Sequence, residues 1–172
     1  MEKENKYYKE IEEKLNTKDN TQILKVLSEI RVSGKANILP LIFNMLSKNK
    51  NQQVSLEAFS ILGQLKDKSS PKYIIEAIES EVSDNYKKEL ITTCWQSGLN
   101  YSSYLDTFAR QFIQGDYQIA IEAFTVIEEW IPEAENEYIL ACKNLLISEV
   151  SNIDTEKKPL YVELVKLVES YL

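Results

Sequence analysis

No histidine occurs anywhere in this chain. That absence removes Ser-His-Asp and Cys-His nucleophilic arrangements, which need an imidazole to carry the proton. It also removes the His-Glu-x-x-His zinc helix and the Glu-x-x-His pairs of di-iron bundles. Glycine is scarce: there are four, no two closer than 17 residues, so no Gly-rich loop cradles a phosphate. No Asp-x-Asp-x-Asn-Gly run offers a calcium loop. Proline also numbers only four. A large sheet would need more turn residues and alternating β-branched runs, so the expectation is an all-α chain.

Long hydrophobic runs are missing too. The best uncharged apolar stretch, Ala36 to Ser47, covers 12 residues, and spanning a bilayer takes roughly 20. Glu2, Lys3, Glu4 and Lys6 occupy the place where a signal peptide would carry its apolar region. The reading is a cytoplasmic protein without membrane association. Cysteine is limited to Cys94 and Cys142, both on apolar helix faces, where buried free thiols are expected rather than a disulfide.

What is present is a motif that returns. Glu57-Ala58-Phe59 sits inside an apolar helical stretch, and Glu122-Ala123-Phe124 repeats it 65 residues later. A looser copy around Glu89 to Trp95 lies between them. Self-similarity at this scale marks stacked helix pairs, each too small to bury its own apolar face.

Apolar spacing predicts about ten helices. They cover about Lys3 to Leu15, Asn20 to Val32, Lys35 to Ser47 and Asn51 to Lys66. The next open at Ser70-Pro71, at Asp84, at Ser102 and at Asp116. The last two span about Glu133 to Val150 and Thr155 to Tyr171. Pro40 falls inside the third and predicts a bend there. Gly34, Gly98 and Gly115 read as stop signals. No linker rich in Gly, Ser or Pro divides the chain, so residues 1–172 read as a single helical-repeat domain. The final pair, about 133–171, shows no copy of the repeat and reads as a cap on the exposed end of the core.

Residues 35–67 resemble a HEAT repeat of the armadillo-like class. Asn37 to Leu46 supplies a Leu-rich first helix with Pro40 within it. Val54 to Phe59 supplies the second helix with the small residue Ala58, and Leu62-Gly63-Gln64-Leu65-Lys66-Asp67 closes it. Ser55 stands where the family has an Arg, and Asn51-Gln52-Gln53 where it has an Asp. Residues 70–98 and 102–130 look like degenerate copies. The resemblance implies an α-α superhelix, a HEAT-like solenoid of five antiparallel helix pairs. It also implies protein recognition without catalysis, cofactor or metal.

HEAT-like geometry would put the second helices along an inner surface. Their polar stripe is then Gln53, Glu57, Ser60 and Gln64 on one helix, and Gln118, Glu122, Thr125 and Glu129 on another. Between them come Lys88, Thr92 and Trp95. Two readings of Trp95 stay open: an anchor on the stripe, or a core residue on a slightly rotated helix.

The net charge is −7. From Gln111 to Cys142 there is no Lys or Arg, against seven Asp and Glu. That favours a protein or peptide partner carrying basic residues and disfavours nucleic acid. The rival readings are a nucleic-acid-binding HEAT-like protein and an enzyme using Glu128, Glu129 and Glu133, whose ordinary role is a solvated face or the first turn of a helix. A homodimer through the last two helices is a further expectation.

Overall fold

Why each helix starts where it does is visible in its first turn. The computed structural model describes residues 2–33, 35–80 and 86–172, with side chains from residue 6 onward except 33. Ten α-helices occur among them: α1 Glu2–Leu15, α2 Asn20–Ser33, α3 Leu39–Lys48, α4 Gln52–Leu62, α5 Ser70–Glu79, α6 Lys87–Gln96, α7 Leu105–Gln114, α8 Tyr117–Trp130, α9 Asn136–Ser148 and α10 Lys158–Glu169. No strand occurs among the described residues, and none of their helices is long and apolar enough to cross a membrane. The all-α expectation holds. Gly34, and the Asp84 start expected for the sixth helix, lie outside the described residues.

Side-chain caps open three helices. Asp19 Oδ1 accepts from the backbone N–H of Thr21 and Gln22 at α2, Asn51 from Val54 at α4, and Asp116 from Ile119 at α8. Each satisfies donors that the first turn leaves without a carbonyl. Proline opens others. Pro40, Pro71 and Pro159 all stand in the first turn of α3, α5 and α10. The bend expected at Pro40 is therefore absent. A single 3-10 turn at Ala36–Ile38 precedes α3, so Pro40 falls where its missing N–H costs nothing.

The ninth helix differs similarly. It starts at Asn136, not Glu133. Ile131–Glu133 forms a separate 3-10 turn, and Glu135 occupies the cap position without a side-chain bond. Glu137, rather than Glu133, is the acid of the first turn.

The chain divides into two compact units, Met1–Asn85 and Tyr86–Leu172. In the first, α1 packs on α2 and α3, α2 on α4, and α3 on α4 and α5. Ile11, Ile23, Leu27, Ile42, Val54, Ala58, Ile74 and Ile78 form its dry interior. In the second, α8 packs on α6, α7 and α10, while α9 packs on α7 and α10. Its interior holds Ile91, Phe108, Phe112, Ala120, Ala123, Ile127 and Leu164. Tyr101 is buried edge-on against Phe108, with ring centroids 6.0 Å apart. Charge is shared unequally. The first unit is neutral in sequence, with thirteen residues of each sign, and the second carries seven Lys/Arg against fourteen Asp/Glu.

The end of α7 is closed by a buried cation. Lys157 is 1% exposed. Its ammonium donates to the carbonyls of Phe112 (3.2 Å), Ile113 (2.7 Å) and Gly115 (2.7 Å), with Asp154 Oδ2 at 3.6 Å. Three terminal carbonyls and the negative end of the helix dipole are met by one charge. Gly115 is needed there because a Cβ would meet Ile119 Cγ2 at 2.3 Å and Gln111 O at 2.8 Å. Gly98, after α6, has φ of 65°, a left-handed turn that a side chain would strain. Lys157→Met is expected to lower the unfolding free energy by about 2–4 kcal/mol, because it strands buried carbonyls. A lower urea midpoint at unchanged slope is the readout.

Cys94 and Cys142 are free and buried, as the apolar faces predict. Burial pushes the Cys142 thiol from the ordinary 9.0 up to about 12, and drives Cys94 and the Tyr101 hydroxyl in the same direction. The folded chain thus keeps protons that the unfolded chain gives up above pH about 9. Stability from these groups is complete below that pH and is lost as pH rises toward 12. Thermal midpoints should hold between neutrality and pH about 8.5, then fall. Both thiols should ignore a disulfide reagent in the native protein and react in denaturant.

Candidate functional site

The register of α8 is set by its small buried residues. Ala120 and Ala123 lie in the interior, which turns Gln118, Glu122, Thr125 and Glu129 toward the other side of the helix. On α6, Leu90, Ile91 and Cys94 are buried, which leaves Lys88, Thr92 and Trp95 outward. The two helices pack together, so the two stripes become neighbours.

They touch at two places. Trp95 Nε1 donates to Glu122 Oε2 at 2.9 Å. Lys88 Nζ donates to Gln118 Oε1 at 3.2 Å. Trp95 is 38% exposed, which excludes the core reading of this residue. Its N–H is held by a carboxylate, so the indole stands at the solvent edge in a defined place. Tyr117 and Ile121, one turn apart on α8, are 39% and 41% exposed. Thr92 and Thr125 direct their hydroxyls to the carbonyls of Lys88 and Ile121, at 2.9 and 3.0 Å, so those groups are engaged within their own helices. Glu129 is exposed.

The first unit holds a parallel arrangement on α2 and α4. Arg31 donates to Glu57 Oε1 at 2.9 Å and to Ser60 Oγ at 3.1 Å. Gln64 Nε2 donates to the same Ser60 oxygen at 3.2 Å, and Gln53 is exposed. In both units, therefore, the Glu of Glu-Ala-Phe accepts from a donor two helices earlier in the chain. Arg31 was missed by the stripe reading. The repeat itself carries the signal: the offset that takes Glu57 to Glu122 takes Arg31 to within one position of Trp95.

The carboxylates considered for catalysis do not form an enclosed group. Glu128, Glu129 and Glu133 are all exposed, and Glu133 accepts from Asn100 Nδ2 at 2.9 Å. Among the described residues no three His, Cys, Asp or Glu side chains converge to hold a metal ion. No protein-family model, no curated protein and no solved structure matches this chain.

Trp95 and the buried Trp130 are the two tryptophans. With Trp130→Phe as background, Trp95 should emit as a part-exposed indole. Adding Glu122→Ala should raise acrylamide quenching and red-shift the emission, while stability falls by less than about 1 kcal/mol. Unchanged quenching would show that Glu122 does not hold the ring.

Proposed function

We propose that this chain is a noncatalytic interaction module, and that the α6/α8 face receives a segment of a partner protein carrying basic and apolar residues. The observation that carries this reading is Trp95, part-exposed on a polar stripe with its indole nitrogen bound to Glu122. Large rigid aromatics on a wet surface supply contact area at little entropic cost and dominate protein interfaces. Glu122 adds negative charge beside it, Glu129 adds more two turns further along α8, and Ile121 offers an exposed apolar side chain next to Glu122 in sequence.

Helix stacking supports the HEAT-like reading within each unit. Helices two apart in sequence pack together repeatedly: α1 with α3, α2 with α4, α3 with α5, α6 with α8, α7 with α9, and α8 with α10. Antiparallel pairs in a solenoid produce that order, because each pair must bury its apolar face on the next. Within the second unit, α6 and α8 then present one side together.

Acidic stretches attract cationic partners and make association salt-sensitive. Binding should be sought with a library of lysine-rich amphipathic peptides against the full chain. A hit should weaken at least about tenfold with Trp95→Ala, and comparably with Glu122→Lys plus Glu129→Lys. It should also weaken as salt rises. Peptides that bind equally well to all three proteins would overturn the assignment. Self-association through the exposed Leu140, Ile147 and Val162 of α9 and α10 would instead appear as a dimer in light scattering, indifferent to Trp95.

A further inference from the structure

The first unit contains a recess of about 440 Å³ where the C-terminal ends of α1 and α3 meet the N-terminal ends of α2 and α4. Its size falls in the range of small-molecule sites. Its charge is one-sided. Lys18, Lys48 and Lys50 line it, and no Asp or Glu does. None of the three lysines has an ion-pair or hydrogen-bond partner among the described residues. The unit as a whole is neutral in sequence, so its balancing carboxylates lie elsewhere. Asp19, the adjacent residue in sequence, is spent on the N–H groups of Thr21 and Gln22.

The remaining polar side chains of the wall are neutral, and three of its asparagines are already engaged. Asn49 Nδ2 donates to Asn20 Oδ1 at 2.9 Å, Asn49 Oδ1 accepts from Asn51 N at 2.8 Å, and Asn51 Oδ1 accepts from Val54 N at 3.1 Å. The carbonyl oxygens of these three amides are thereby occupied. What Asn20 has left to offer is its Nδ2–H pair. Leu15 and Met45 are buried at the base. A cation entering this recess would find three like charges and no carboxylate. An anion would find three ammonium groups and an amide donor on a wall where Asn20, Asn49 and Asn51 are held in a chain of hydrogen bonds.

We infer that this recess binds a small multivalent oxyanion, a phosphate ester or a polycarboxylate. Three separate cations around one space favour a ligand with several negative charges over a monovalent one, since each charge then meets its own counterpart. The site lies wholly in the first unit and shares no residue with the α6/α8 face, so it stands or falls independently of the peptide-binding proposal.

The test is calorimetric titration of the full chain with tripolyphosphate and, separately, with citrate, at low ionic strength. Saturable one-site binding is expected for at least one, falling at least about tenfold in Lys48→Gln plus Lys50→Gln. Lys18→Gln should weaken it further. All three lysines are exposed, so these variants should keep the wild-type melting curve. Tripolyphosphate binding with inert citrate assigns the site to phosphate chemistry, and binding of both assigns it to charge density. No heat at millimolar concentration of either anion overturns the proposal. So does binding that the lysine substitutions leave unchanged.

Discussion

The placement of the two polar pairs on the helix faces, Glu57 with Arg31 and Glu122 with Trp95, follows from two buried alanines. Ala58 and Ala123 are fully enclosed on α4 and α8. A small residue at a helix crossing lets the neighbouring backbone approach, and the close contact fixes rotation about the helix axis. Once the Ala is fixed, the residue before it must lie about 100° round the helix. That residue is Glu in both copies. Glu57 then meets Arg31, and Glu122 meets Trp95. Packing sets the register, and the register selects the surface chemistry.

The core positions were legible because their signal is local. Val54, Ala58, Ile61 and Leu62 on α4, and Leu105, Phe108, Ala109 and Phe112 on α7, recur at helical spacing and are buried. The ends were less legible because α-helical and 3-10 turns accept the same residues over three positions. Ala36–Ile38, Ser102–Tyr104 and Thr155–Lys157 all read as the first turn of a helix and are 3-10 turns instead. Pro40 illustrates the consequence: moving the helix start by a few residues turns a predicted kink into a favourable opening.

The candidate site was half legible for a different reason. The repeat placed Glu57 and Glu122 on their stripe, but their donors lie 26 and 27 residues earlier, and nothing local announces them. Lys157 was invisible altogether. A lysine is mostly found in water, so sequence reads it as surface. Only the three carbonyls at the end of α7, more than 40 residues away in the chain, give its charge a reason to be buried. Interactions that depend on a distant helix terminus leave no pattern in the neighbouring residues.

Lys157 and Trp95 also show why one polar contact holds the fold while another is free to serve recognition. Both groups are bound by a neighbouring element. Lys157 has no water to return to, so any loss of its partners leaves stranded charge and carbonyls. Trp95 and Glu122 face solvent, where a hydrogen bond is worth little net because water replaces it. The indole can therefore exchange Glu122 for a group on an arriving chain at small cost. The same solvent exposure makes the charges around it sensitive to ionic strength, whereas the buried ammonium is screened much less. A salt concentration that abolishes attraction at the α6/α8 face should therefore leave the second unit folded, so that binding and stability are separable by ionic strength alone.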